Sequence, residues 1–284
     1  MDTIVKVRAQ YLNYIHSLSL LDDFFARIIF KNLACIELVL EIILGRKVDI
    51  VEFHTQYDLF NLHGRSITVD VFVKTKEGNY INIEVQRKNS GAHPKRARYH
   101  CSLMSADYTV KNKEWKKIPK VSTIFITEDD VLGKGLPIYH VHHTSDETGE
   151  SFDDEEEIIY VNSSIEDDTP LGRLMHDFRC TEASEMYYEV LRERVRLFKE
   201  KEEGVSEMCD FLEQLEIRNQ AIGKAAGKAE GKIEGKIEGK IEGKFEGMLT
   251  AIKALIRKMS LDEALDLLNI PSDERPMYIK KITS

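Results

Sequence analysis

Two neighbouring stretches of the chain alternate apolar and polar residues, which is the pattern of half-buried β-strands. They cover residues 66–74 and 80–86, and the Lys-Glu-Gly-Asn segment between them is typical of a turn. The pattern therefore predicts a β-hairpin. With the hairpin centred on Glu77, Asp70 lies directly opposite Glu84, and Gln86 lies on the same face one pleat further along.

The opposed acidic pair has two interpretations. Carboxylates directly opposite each other repel and weaken a sheet, and a proton or a cation between them relieves the repulsion. Mg²⁺ is the natural cation, because it takes oxygen ligands from one or two carboxylates together with substrate phosphate. Acidic residues on the solvent-exposed face of a hairpin are also ordinary, so the pair alone leaves both interpretations open.

The remaining pattern predicts helices on either side of the hairpin. The predicted elements are helices between residues 22 and 44, a strand over 48–60, a helix from Pro94 to about residue 110, and strands over 121–127 and 136–141. The order of helix, three strands, helix and strand indicates an α/β (α+β) fold with a mixed β-sheet flanked by helices.

The second half of the chain changes character. Residues 146–168 contain eleven acidic residues and no basic one, and we expect them to loop out of the sheet with a short strand at 157–161. Residues 170–218 have the apolar spacing of two or three helices. The predicted segments are a leader over 1–21, an α/β core over 22–168, a helical region over 169–220, a repeat over 221–248 and short helices over 249–284.

Glycine recurs at every fourth position from Gly223 to Gly247, in a repeat whose unit is Gly-Lys-Ile-Glu. A helix of this sequence brings like charges together at i,i+4, which is destabilising, and each glycine costs about 1 kcal/mol relative to alanine. The repeat is therefore a poor solitary helix. It predicts either a helix that forms homo-oligomers by pairing its lysine and glutamate stripes between chains, or a flexible linker.

Basic residues are concentrated in one part of an otherwise acidic chain. The net charge is −9, yet residues 87–120 contain ten basic and two acidic residues. A local basic surface can bind a polyanion whatever the total charge. This segment begins directly after the acidic pair, where a phosphate backbone would have to lie. The candidate DNA-binding residues are Arg87, Lys88, Lys95, Arg96, Arg98 and Tyr99, although a solvated surface, and a core position for Tyr99, remain the alternatives.

Several classes of protein are disfavoured. No run of about 18 apolar residues predicts a membrane span, and the N-terminus lacks the pattern of a signal peptide. The four cysteines are far apart and form no CxxC pair, which favours reduced thiols in a cytoplasmic protein. His140, His142 and His143 place two imidazoles on one face of a strand, but the sequence provides no acidic partner in a secure position, so it assigns no metal site there.

The residues of the hairpin resemble a known group of enzymes. Asp70, followed after thirteen intervening residues by Glu84-Val-Gln86, resembles the PD-(D/E)xK nuclease superfamily. Within it the chain is similar to the Rpn group of recombination-promoting nucleases, which are also described as transposases. Further similarity lies in residues 22–30, 80–86, 171–178 and 198–204 and in the C-terminal Gly-Glu repeats, so the likeness covers roughly residues 22–250.

The resemblance implies a restriction-endonuclease-like fold and a metal-dependent DNA endonuclease linked to DNA recombination or mobile elements. Asp70 and Glu84 would hold Mg²⁺ or Mn²⁺, with the backbone carbonyl of Val85 as a third ligand and with Glu37 or Asp23 from the first helices completing the site. Gln86 stands where the superfamily usually has a lysine. Glutamine is common there in the Rpn group, and it would orient the attacking water through hydrogen bonds.

Two further classes remain open. The chain would be a degenerate nuclease if it binds DNA without cutting it, and an assembly protein if its function resides in the 223–247 repeat. Nothing in the residues indicates strand transfer. The transposase description therefore adds no reaction to the hydrolysis that the site suggests.

Overall fold

A computed structural model of the chain describes residues 11–109 and 114–283, without the side chains of Asn89, residues 218–242, Lys244 and Thr283. It divides into two compact units, 1–211 and 212–284. The first unit contains all the strands described here. Residues 1–10 of the predicted leader, and the basic residues Lys111 and Lys113, lie outside the described residues.

The first unit is built on a six-stranded sheet. The strands are β1 Ile50–Leu59, β2 Ile67–Thr75, β3 Tyr80–Gln86, β4 Val121–Thr127, β5 Ile138–Val141 and β6 Glu156–Asn162. Their order in the sheet is β1-β2-β3-β4-β6-β5. Strands β1, β2 and β3 are antiparallel neighbours, β3, β4 and β6 are parallel, and β5 is antiparallel to β6. The prediction of a mixed sheet flanked by helices is confirmed.

The predicted hairpin is present with the predicted register. Val71 pairs with Ile83 and Val73 with Ile81, so the hairpin is centred on residue 77. Gly78 has a φ of +86°, and it supplies the left-handed turn residue that the tight connection requires. Continued by one residue, the same register places Asp70 opposite Glu84.

The short strand predicted at 157–161 within the acidic segment is present, but the segment does not loop out of the sheet as expected. Residues 156–162 form β6, which is inserted between β4 and β5 and is parallel to β4. Ile159, Tyr160 and Val161 are buried. These apolar residues stabilise an internal strand position. The acidic residues lie at the start of the strand and in the connections on either side of it.

The helices of the first unit include α1 Asp23–Ile29, α2 Leu33–Leu44, α3 Pro94–Tyr108, α4 Pro170–Arg179 and α5 Glu189–Glu200. Residues 11–17 are also helical, and Ile15 and Leu18 are buried within this unit. Most residues of β2 and β3 are buried, which indicates that both faces of this part of the sheet are covered. Helix α3 contacts β1, β4 and β6, and helix α1 contacts β2 and β3.

Stacked aromatic rings join the hairpin to the end of α3. Phe72 lies 4.7 Å from Tyr57 and 5.3 Å from Tyr108, and Tyr80 lies 4.0 Å from Tyr108, measured between ring centroids. Each such pair contributes about 0.5–1.5 kcal/mol beyond its buried area. The cluster fixes the end of α3 against β1, β2 and β3. Phe72 is two residues from Asp70 on the same face of β2, so the cluster lies next to the acidic pair.

The C-terminal helices begin with α6, which spans Glu202–Leu255 and includes the whole glycine repeat. The backbone of the repeat is therefore helical, while most of its side chains, and with them the predicted pairing between chains, lie outside the described residues. Helices α7 Leu261–Leu267 and α8 Arg275–Thr283 follow. In the second unit, Ile252, Leu265 and Tyr278 share one small core.

Among the described residues, no helix combines the length and the apolar character needed to cross a membrane.

Candidate active site

The candidate site lies where β1, β2 and β3 run side by side. Gln56 of β1 is opposite Asp70 in the register of Thr55 with Val71 and Tyr57 with Val69, and Glu84 of β3 is opposite Asp70 on the other side. The Gln56 side-chain amide donates to Asp70 Oδ1 at 3.2 Å. Gln56 has a φ of +58°, which is an uncommon backbone conformation for a non-glycine residue.

The two carboxylates bond to the backbone of each other's strand. The Asp70 amide donates to Glu84 Oε1 at 3.3 Å, and the Val85 amide donates to Asp70 Oδ2 at 3.2 Å. The backbone pairing of β2 with β3 ends at Val71 and Ile83, so these side-chain bonds replace the backbone ladder. Because the N–H and C=O of a strand residue point to the same side, the Val85 carbonyl faces the same side as Asp70.

Both acids are buried, and burial raises their pKa values. Asp70 is 7% exposed and Glu84 is fully buried. Burial raises the pKa of Asp70, and the Asp23 charge raises it further; burial and then the Asp70 charge raise the pKa of Glu84. A divalent cation between the carboxylates would remove the repulsion, so the donor set fits a hard metal ion.

An acid from the first helix reaches this pair. Asp23 of α1 lies close enough to Asp70 to raise its pKa, and Arg27, four residues later, pairs with Asp23 and lies 3.6 Å from Asp70 Oδ1. The sequence suggested Glu37 or Asp23 as a further metal ligand, and of these two Asp23 lies beside Asp70. Glu37 lies on the next helix, α2.

Arg96 is bound within the site itself, whereas its place in the basic run led us to expect a side chain free for DNA. Its Nη2 donates to Glu84 Oε2 at 3.1 Å, its Nη1 donates to the Gly91 carbonyl at 2.7 Å, and its Nε donates to His100 Nε2 at 3.2 Å. The guanidinium lowers the otherwise raised pKa of Glu84. Arg96 therefore pairs with Glu84, while Arg27 lies beside Asp70.

His100 is held neutral beneath this arginine. Burial, together with the charges of Arg96 and Arg65, lowers its pKa to about 4. Arg96 Nε donates to His100 Nε2, and His100 Nδ1 lies 3.1 Å from Asn82 Nδ2 and 3.6 Å from Glu84 Oε1. The buried imidazole therefore orients Arg96 beside Glu84.

Gln86 occupies the position expected from the sequence. Its Nε2 lies 3.5 Å from Glu84 Oε2, and its Oε1 accepts from Arg96 Nη1 at 3.4 Å. Gly91 leaves room for this side chain, since a Cβ at Gly91 would lie 2.1 Å from Gln86 Oε1. The uncharged Gln86 side chain is therefore hydrogen-bonded to the permanently charged Arg96.

The other predicted DNA-binding residues have different surroundings. Lys88, Lys95 and Arg98 are exposed. Arg87 pairs with Asp22 at 2.9 Å, and the Tyr99 hydroxyl accepts from Asn61 Nδ2 at 3.0 Å, so Tyr99 ties α3 to the β1–β2 loop. An open cleft of about 770 Å³ is lined by Arg96 and His100, which both lie at Glu84, and by further basic and polar residues, which include Arg65, His93, Lys95 and Tyr99.

Comparison with known families agrees with this geometry. Residues 32–165 match the model of a family described as PD-(D/E)XK nuclease family transposase. The match contains Asp70, Glu84 and Gln86, and it confirms the resemblance found in the sequence. It supports a nuclease- or transposase-like role for this part of the chain. No curated protein and no solved structure gave a significant match.

The sequence did not point to Gln56 as a member of the site, and it suggested DNA binding for Arg96, which instead contacts Glu84. Gln56 belongs to an irregular strand, and the register shift between Ile50 and Glu52 decides which residue faces Asp70. Arg96 follows Pro94 in the first turn of α3, and its spacing of four residues from His100 was a usable signal. What the sequence did not show is that the helix returns across β3.

Proposed function

We propose that the chain is a metal-dependent DNA endonuclease that hydrolyses phosphodiester bonds. The observation that carries the proposal is the interlocked pair of Asp70 and Glu84, in which two buried carboxylates share one small site. A buried acidic pair with raised pKa values is expensive to maintain unless it binds a cation or a proton. The matched nuclease family makes the cation the better explanation.

The proposed metal is Mg²⁺ or Mn²⁺. Asp70, Glu84 and the Val85 carbonyl would hold the ion, with Asp23 as a further acid at the same place. When bound, such an ion lowers the pKa of a water ligand and neutralises charge on the scissile phosphate. All these donors are oxygen atoms, which suits a hard cation.

The surrounding side chains would position the water and the phosphate. Gln86 cannot ionise, but it donates and accepts hydrogen bonds and would orient the attacking water. Arg96 would stabilise negative charge that develops on the phosphate, because its permanent charge is held in a fixed position by Glu84, His100 and Gly91. Lys88, Lys95 and Arg98 would bind backbone phosphates without reading the sequence.

DNA is the proposed substrate, with the basic cleft beside the acids as its path. The family description favours this polymer, and exposed lysine and arginine residues border the site. A link to DNA recombination or mobile elements rests on the family description alone. Homo-oligomerisation through the 223–247 repeat is a separate proposal, which rests on the continuous helix that carries the repeat.

The test measures DNA cleavage and DNA binding in the same preparations. Supercoiled plasmid is incubated with the protein in Mg²⁺, Mn²⁺ or EDTA, and binding is measured in Ca²⁺. Nicking in Mg²⁺ or Mn²⁺ that EDTA abolishes supports the endonuclease. Binding without turnover in any metal would identify a degenerate nuclease and contradict the proposal.

A further inference from the structure

Two histidines and a glutamate share one face at the edge of the sheet, far along the strand order from the acidic pair. In the pairing of β5 with β6, His140 is opposite Ile159 and Val141 is opposite Ile158. Continued by one residue, this register places His142 opposite Glu157. Because residues two apart on a strand share a face, Glu157 has His142 directly across from it and His140 on the diagonal.

The side chains converge as this register requires. One potential ligand atom from each of His140, His142 and Glu157 lies within 4.8 Å of the other two. His140 Nδ1 is 3.5 Å from Glu157 Oε1. The two imidazole rings are 10° from parallel, with centroids 6.5 Å apart. Both rings therefore lie beside the same carboxylate.

The carboxylate of Glu157 is held in a fixed orientation. Its Oε2 lies 2.9 Å from Lys120 Nζ and accepts from Ser122 Oγ at 3.3 Å. These partners leave Oε1 directed toward the histidines. Hydrogen bonds that fix the orientation of a carboxylate in this way are a usual feature of metal ligands.

The surroundings favour a cation. A cleft of about 320 Å³ is lined by His142 and Glu157 together with acidic residues 153–156. Carboxylates that line a cleft raise the local concentration of cations. The Lys120 charge in this cleft is already paired with Glu157.

We propose that His140, His142 and Glu157 bind a zinc ion, with water in the fourth position. Two imidazole nitrogens and one carboxylate oxygen are a usual zinc ligand set with an open position, whereas hard cations such as Mg²⁺ prefer oxygen ligands. Tetrahedral bonds of about 2.0–2.1 Å place the ligand atoms about 3.4 Å apart. Rotation of the two exposed imidazoles toward Glu157 closes the remaining difference.

Zinc at this place would join the edge strand β5 to β6. Strand β5 is short, and His140 and Val141 are exposed at its end. An ion that binds the folded chain and not the unfolded one raises the apparent stability by mass action. The site therefore has a readout in thermal stability that does not involve DNA cleavage.

The experiment measures zinc binding to the full chain in an Asp70→Asn background, which removes metal binding by the acidic pair. Equilibrium dialysis gives the stoichiometry, and Co²⁺ substitution gives the ligand type from the visible spectrum. We expect one zinc ion per chain, a raised melting temperature, and no thiolate charge-transfer band. His142→Ala and Glu157→Gln should each weaken zinc binding about tenfold or more.

The control is His54→Ala, which removes an exposed histidine of β1 that pairs with Glu52 and should leave zinc binding unchanged. Glu157→Gln keeps the size of the side chain, so it tests the site even if another variant fails to fold. Absence of zinc binding in the parent, a thiolate band from cysteine, or unchanged affinity in both site variants would each overturn the proposal.

Discussion

The backbone amide of Asp70 donates a hydrogen bond to the Glu84 carboxylate at 3.3 Å, so the two opposed acids share one end of the β2–β3 hairpin. The Asp70 carboxylate in turn accepts from the amide of Val85. Each acid is thereby fixed by the strand of the other. This arrangement keeps two buried carboxyl groups together, and the positive charge of Arg96 favours the ionised form of Glu84.

Loss of Arg96 should reduce cleavage much more than loss of its neighbour on the helix. Arg96→Gln removes the guanidinium from Glu84 and His100, and we expect the cleavage rate to fall about 100-fold or more, since a preorganised charge at the reacting phosphate is removed. Arg98→Gln removes an exposed charge from the same helix and should alter DNA affinity alone. Single-turnover cleavage rates at saturating protein distinguish the two, and equal rates for both variants would contradict the assigned role of Arg96.

Gly91→Ala should impair cleavage while leaving the fold stable. The added Cβ would overlap Gln86 Oε1, which is the end of a flexible side chain and can move at little cost in folding free energy. Displacement of a positioning group by about 1 Å can lower a rate by up to about 100-fold. The measurement pairs the cleavage rate with the melting temperature. Gly247→Ala, where a Cβ meets no atom within 4 Å, is the control: it should leave the cleavage rate unchanged and should not lower the melting temperature, because alanine favours the helix that contains it. A normal rate in Gly91→Ala would mean that the position of Gln86 is unimportant.

Asp70→Asn should stabilise the metal-free protein, and more so at high pH. Burial and the Asp23 charge raise the native pKa of Asp70 above its unfolded value. The native state then binds more protons than the unfolded state between the two pKa values, so stability falls as pH rises through this window. Removing the charge should stabilise the fold on the order of 1–2 kcal/mol at pH 8.

The difference between Asp70→Asn and the parent should shrink at pH 5.5, where native Asp70 is more fully protonated. Urea denaturation in EDTA at both pH values measures the effect. Asp58→Asn, which changes an exposed acid of β1, should leave the free energy of unfolding unchanged. A destabilised Asp70→Asn protein at pH 8 would show that the buried charge is compensated without a metal.

Exposed basic residues beside the site should determine the salt dependence of DNA binding. Replacing Lys88, Lys95 and Arg98 together by glutamine should reduce the slope of log Kobs against log salt by about 0.9 for each phosphate that the protein no longer neutralises. A control with an equal change of charge replaces the exposed residues Lys253, Lys258 and Lys281 of the second unit. Fluorescence anisotropy with duplex DNA in Ca²⁺ measures the slope, and an unchanged slope in the first variant would place the DNA path elsewhere.

The parts of the fold that were predictable are those set by local pattern. The hairpin register followed from the alternation of β2 and β3 and from the turn at Gly78, and this register alone opposes Asp70 and Glu84. The insertion of β6 between β4 and β5 could not be read in the same way, because its apolar residues lie within an acidic segment and the order of strands depends on long-range pairing.

The charged network around the acids is a tertiary feature. Arg96 reaches Glu84 because α3 packs back across the sheet. The four-residue spacing from His100 sets Arg96 apart from Arg98, but it does not reveal the contact with Glu84. Glu157 lies beside His140 for the same reason, since the partner strand is known only once the order of the sheet is known.

If Asp70 and Glu84 form the metal site of a nuclease, plasmid nicking in Mg²⁺ or Mn²⁺ depends on Asp70 and not on Asp58. We would therefore first measure the nicking rates of Asp70→Asn and Asp58→Asn. Both variants remove one acid from adjacent strands while keeping its shape. We predict that Asp70→Asn loses metal-dependent nicking and that Asp58→Asn retains the rate of the parent. Undiminished nicking by purified Asp70→Asn would contradict the assignment of Asp70 and Glu84 as the metal site.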